Sequence, residues 1–167
     1  MLSELDTCDI KILQILQHDC RVTAKEMADK VGKSITAVHE RIKRLEESGY
    51  ILQYVALVDR SRIGHGVIGY TSIHLKEHSQ AVLRGFEMEV IKFPEVMECC
   101  QLTGKADFLI RVVVADLGAY NSFLLNKLAT LANIGTVQTS FVLSEAKRET
   151  AYQVMSVEEA KKKAKKS

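Results

Sequence analysis

Lys33, Ser34, Thr36, Ala37, His39, Glu40, Arg41, Lys43 and Arg44 crowd into one short stretch of the chain. On a helix that starts after Ser34, Thr36, Glu40 and Lys43 share an outward face, flanked by Ala37, His39, Arg41 and Arg44. Such a face can reach base edges in a major groove, while Lys33, Ser34 and the free N–H groups of the helix start can hold phosphates. The other reactive side chains make no comparable group. His18, His39, His65, His74 and His78 are scattered, and no nucleophile is paired with a base. His74 and His78 are four apart, but the pattern puts them at a strand end and in a loop, which argues against a helical metal pair. There is no Gly-rich phosphate loop and no Cys-x-x-Cys spacing among Cys8, Cys20, Cys99 and Cys100. An enzyme is therefore not expected, and neither is a metal or cofactor. Free, mostly buried thiols in a reducing compartment are.

The elements that must carry the basic face are legible. Asp6 can cap a first helix, with Asp9 near its positive end and Ile10, Ile12, Leu13 and Leu16 as its apolar stripe. Thr23 and Glu26 form a capping box for a short second helix with Met27, Ala28 and Val31 inward. Gly32 ends it, Ser34 caps the third, and Val38, Ile42 and Leu45 form the third's inner stripe up to Gly49. Two helices joined by a tight Gly-bearing turn behind a first helix make a helix-turn-helix of the winged-helix-like kind. A three-helix domain without nucleic-acid binding is the alternative reading. The even balance of charge in this half and the acidic Glu40 support that alternative, while Arg41, Lys43 and Arg44 oppose it.

Beyond Gly49 the period changes. Ile51–Val58 reads as a strand, and the polar, Gly-bearing residues that follow read as a hinge. The second half reads strand (67–75), helix capped by Ser79 and ended before Pro94, strand (96–102), turn, strand (108–114), helix capped by Asp116, strand (136–143). In the second of these helices Leu117, Tyr120, Leu124, Leu128 and Leu131 are expected inward. The order is that of a ferredoxin-like βαββαβ domain, so the fold class is α+β. The expected division is 1–50 helix-turn-helix, 51–66 strand and hinge linker, 67–154 ferredoxin-like domain and 155–167 basic tail. One face of the sheet carries no helix, and a second copy of the domain is the simplest cover, which predicts a homodimer.

With 167 residues, 47% hydrophobic and 26% charged, the composition is that of an ordinary globular protein. No apolar run approaches a bilayer span, and the acidic N-terminus has no signal-peptide core, so a cytoplasmic place and no membrane partner are expected. The net charge of +2 resides in the tail, Lys161-Lys162-Lys163-Ala164-Lys165-Lys166. Glu158 and Glu159 each precede a lysine by four residues, which favours a solvated helix end over non-specific attraction to phosphates.

In sequence the chain to about Val154 resembles the leucine-responsive regulator / asparagine-regulator (Lrp/AsnC, feast/famine) family. The matching runs are Leu5-Asp6 to Leu16, Arg21 to Ser34 and Val38 to Tyr54, together with Thr103-Gly104, Asp107-Phe108-Leu109 and Thr139 to Ser144. The resemblance implies a transcription regulator that binds double-stranded DNA as dimers, often assembled to octamers. It also implies a small effector, usually an amino acid, bound at interfaces between C-terminal domains. The family's effector turn maps onto Thr103, Gly104, Lys105 and Asp107, and its last-strand threonine onto Thr139. Gly104 would let a ligand approach the backbone, and Asp107 could accept from an ammonium group. Read without the family, the same Thr-Gly-x-x-Asp stretch is ordinary turn chemistry. Ala106 and Val137 depart from the family's commoner aromatic residue and threonine and would make the pocket roomier or less polar. Lys33 and Glu40 depart at the recognition helix. Glu40 could accept from cytosine N4. A metabolite sensor or partner protein with weak or no DNA binding is the competing function.

Overall fold

The computed structural model describes residues 5–155. The Lys161–Lys166 tail lies outside them. The described residues divide into two compact units, residues 5–56 together with 147–155, and residues 57–146.

The first unit holds α1 (Thr7–His18), α2 (Ala24–Val31) and α3 (Ile35–Glu47). Each start is fixed by a side chain that takes up a free backbone donor. Asp6 and Asp9 form one capping box, Thr23 and Glu26 another, and Ser34 accepts from the N–H of Ala37. Gly32 ends α2 at φ 67°, ψ 42°, the left-handed conformation that only glycine adopts without a Cβ penalty. That turn lets α3 begin after only three residues. Ile12, Met27, Val38 and Leu45 close the core between the helices.

The second unit is built from β1 (Val67–Leu75), α4 (Gln80–Val90), β2 (Val96–Gln101), β3 (Phe108–Val114), α5 (Leu117–Asn126) and β4 (Ile134–Phe141). The four strands form one sheet in the order β2-β3-β1-β4. Every pairing is antiparallel, with Thr71 opposite both Ile110 and Thr139. This is the ferredoxin-like arrangement, with both helices serving one apolar face. Ile73, Leu75, Phe108, Ile110, Val112 and Val114 point to that face and meet Phe86 and Val90 of α4 and Tyr120 and Phe123 of α5. The Phe86 and Phe108 rings lie 4.7 Å apart. The opposite face carries Tyr70, Ser72, His74, Leu109, Arg111 and Gln138 by the alternation of the pleat.

Several expectations are corrected, the burial of the thiols among them, since Cys20 and Cys100 are exposed and Cys8 and Cys99 only half-buried. Ile51–Val58 joins no sheet among the described residues. Its Leu52, Val55 and Leu57 side chains are exposed, and β-formers make a strand only where a neighbour takes their backbone groups. Leu117 is exposed, and Phe123 fills the core instead. The α-helix stops at Asn126, so Leu128 reaches the core from a short 3-10 turn, Leu128–Thr130. The last strand starts two residues early, at Ile134, and ends at Phe141.

Candidate DNA-binding and effector sites

The turn between α2 and α3 leaves Lys33, Ser34 and Thr36 exposed at the start of α3. His39, Glu40 and Lys43 continue the exposed face, while Ala37 is half-buried beside buried Val38. Lys43 lies 3.8 Å from Glu47, a loose pair on an open surface. The N-terminal turns of α3 therefore offer free backbone donors, a lysine and small polar side chains to an anion or a groove.

Arg41 and Arg44 are placed differently from the rest of the predicted set. Arg41 Nη1 donates to Asp6 Oδ2 at 2.6 Å and to Asp9 Oδ1 at 2.7 Å. Arg44 Nη2 donates to Asp9 Oδ2 at 2.6 Å. Asp9 is buried, so both of its oxygens are taken by α3. Burial works to raise the Asp6 pKa, but the Asp9 N–H and the Arg41 guanidinium outweigh it and hold Asp6 below its ordinary value. The same contacts raise Arg41 above its own. The sequence showed Asp9 only as a helix-dipole residue. Its distant partners, 32 and 35 residues on, have no local signature.

In the second unit, Thr103, Gly104 and Lys105 form an exposed turn between β2 and β3. Gly104 has φ 127°, again a positive angle suited to glycine. Asp107 closes the turn. Its carbonyl accepts from the N–H of Leu102 at 2.8 Å, and its N–H donates to Ile73 O at 3.0 Å. Its carboxylate accepts from the N–H of Leu75 at 2.8 Å and lies 3.1 Å from His78 Nε2 and 3.7 Å from His74 Nδ1. The Leu75 N–H is the main cause that holds the Asp107 carboxyl below its ordinary value, burial opposes it, and the neighbouring His78 and His74 assist. Both histidines thus stand beside the predicted turn, and their four-residue spacing was the only sequence sign of it.

Thr139 sits elsewhere. Its hydroxyl meets Tyr120 OH and lies 3.0 Å from Thr71 Oγ1, which also lies 3.0 Å from Tyr120 OH. The three hydroxyls form a polar knot on the helix-covered face, with Thr71 fully buried. Thr139 is opposite Thr71, four residues from Leu75, which is roughly 13 Å along the strand. A single chain does not bring Thr139 and Asp107 into one pocket.

A helix-turn-helix with an exposed recognition helix, joined to an α+β domain of this topology, defines a transcription regulator with separate DNA-binding and ligand-binding parts. Comparison with known proteins agrees along the chain. Residues 5–51 match the winged helix-turn-helix DNA-binding model, and residues 69–152 match the Lrp/AsnC ligand binding domain. The Bkd operon transcriptional regulator of Pseudomonas aeruginosa is 39% identical over 85% of this chain and 93% of its own length. The glutamate uptake regulatory protein of Zymomonas mobilis is 38% identical over 90% of this chain and 91% of its own. Among solved structures, the transcriptional regulator NMB0573 of Neisseria meningitidis, in complex with L-Met, has a TM-score of 0.84 at 34% identity. It covers 89% of this chain and 96% of that one. AsnC of Escherichia coli has a TM-score of 0.82 at 26% identity, over 87% of this chain and 97% of its own. The chain belongs to the Lrp/AsnC family of transcription regulators. Its relatives are named regulators, not enzymes.

Proposed function

We propose that the chain reads DNA with the start of α3 and answers to an amino acid bound at the Thr103–Asp107 turn. The observation that supports this best is the exposed opening of α3. Ser34 caps the helix and leaves Lys33, Thr36, His39, Glu40 and Lys43 facing outward from a rigid three-helix unit. The effector site on this reading comprises Thr103, Gly104, Lys105 and Asp107, with Thr139 supplied across an interface. The separation of Thr139 from Asp107 within one chain supports a site completed by a second copy. The sheet face without helices supports a homodimer, and so does the exposed apolar run Leu52, Val55 and Leu57. Assembly to an octamer and action in the cytoplasm complete the proposal. No helix among the described residues is long and apolar enough to cross a membrane.

Two measurements test it. Titration against a duplex selected from a random pool, at several salt concentrations, should give a steep fall of affinity with salt, since each neutralised phosphate adds about 0.9 to the logarithmic slope. No binding even at low salt rejects the reading. Thermal unfolding with L-methionine, then with the other standard amino acids, tests the effector. A ligand at about 100 times its dissociation constant adds roughly 2.7 kcal/mol to stability. Absence of any shift removes the amino-acid effector while leaving DNA binding intact.

A further inference from the structure

We infer that Asp9 is a positioning residue for the recognition helix, and that Arg41 serves as its partner and not as a phosphate contact. The inference rests on the DNA-binding reading of α3 and adds a division of labour within it.

The geometry carries the argument. Asp9 is on the first turn of α1 and is 1% exposed. Its two oxygens are taken separately, Oδ1 by Arg41 and Oδ2 by Arg44, residues nearly one turn apart on α3. Asp6 adds a third point through its own contact with Arg41. Asp6 and Asp9 are themselves locked by their capping box, Asp9 N–H to Asp6 Oδ1 at 2.8 Å and Asp6 N–H to Asp9 Oδ2 at 3.2 Å. Two points along one helix, held by one rigid carboxylate, fix its rotation about its axis as well as its distance. Apolar contacts from Val38 and Leu45 set distance well but resist small rotations weakly, because they are not directional. Rotation of α3 is what decides whether Thr36, His39, Glu40 and Lys43 meet base edges in register. A guanidinium half-buried on two carboxylates is already neutralised, so it has little charge to offer a phosphate.

The test uses the full chain with Asp9→Asn and the double variant D9N/R41Q. The double variant removes both charges together and leaves no lone buried carboxylate, so it guards against simple unfolding. Two readouts are taken at a temperature well below the melting point. One is the ratio of affinities for a pool-selected duplex and a scrambled duplex of the same composition. The other is the slope of log affinity against log salt. The expected result is a ratio lowered about tenfold in both variants, with the D9N/R41Q slope equal to that of the wild type. A general loss of stability would weaken both duplexes alike and leave the ratio unmoved. An unchanged ratio overturns the inference, as does a slope reduced by about 0.9, which would make Arg41 a phosphate contact. If the wild type selects no duplex from the pool, the DNA-binding reading itself fails, a result distinct from either.

Discussion

Gln17 holds Tyr152 by both of its main-chain groups. The Gln17 Oε1 accepts from the Tyr152 N–H at 2.6 Å, and Nε2 donates to the Tyr152 carbonyl at 3.1 Å. The paired contact mimics one rung of a sheet and ties the segment around Tyr152 to α1. Val154 continues the docking by packing against the three-helix core. Residues 147–155 thus cluster with the three-helix unit, although they follow the second unit in sequence.

Gln17→Ala should loosen this segment without unfolding the helices. Each net hydrogen bond contributes about 0.5–1.5 kcal/mol. Losing both should speed tryptic cleavage after Lys147 and Arg148 severalfold under native conditions, with the three-helix unit still resistant. Equal cleavage rates would mean that Val154 alone holds the segment.

The Asp107 carboxyl is held below its ordinary value of 3.8, first by the Leu75 N–H and then by His78 and His74. A lowered folded value means that the unfolded chain binds this proton more readily. The stabilisation is therefore complete above the unfolded value and lost as pH falls through the folded one. Asp107→Asn should melt below the wild type at neutral pH, and the gap should close on acidification below about pH 4. A series of melting temperatures against pH checks this. A gap that stays constant would show that shape, and not charge, closes the turn.

The hydroxyls of Thr71, Tyr120 and Thr139 satisfy one another inside a face that is otherwise apolar. Thr71→Val removes two of the three contacts and leaves Tyr120 and Thr139 bonded only to each other, at a cost of about 0.5–1.5 kcal/mol per lost hydrogen bond. Tyr120→Phe should cost a similar amount. Because the two share the network, the double variant should be less destabilised than the sum of the singles. Urea midpoints at unchanged m-value give the comparison, and strict additivity would contradict the shared network.

What was legible in the sequence was local. Asp6, Thr23, Ser34, Ser79 and Asp116 each announced a helix start, because capping depends on residues only three apart. The alternation in Val67–Leu75 and Phe108–Val114 gave the two central strands to the residue. What was hidden was distant. Ile51–Val58 has the composition of a strand, but pairing requires a neighbour, and composition does not supply one. The bonds of Arg41 and Arg44 to Asp9 had no local signature, because their partner lies 32 and 35 residues earlier. Thr139 matched a ligand residue by position, yet the register opposite Thr71 turns its hydroxyl toward Tyr120.

The Thr103–Asp107 turn offers a test of backbone conformation separated from packing. Gly104 has φ 127°, and a Cβ built there would meet nothing within 4 Å. Gly104→Ala therefore adds no clash, and any cost comes from the backbone angle alone. Holding a non-glycine residue in such a region costs on the order of 1–3 kcal/mol. If the turn keeps its shape, the ligand-binding unit should lose that much in chemical unfolding. The Leu102 N–H, bonded to Asp107 O at 2.8 Å, should stay protected from hydrogen exchange. If the turn flips to relieve the angle, stability should be nearly unchanged and that protection should fall. In that case the contacts of Asp107 with Leu75, His74 and His78 should loosen with it. Exchange and unfolding measured on the same sample distinguish the two, because one outcome moves only stability and the other only protection.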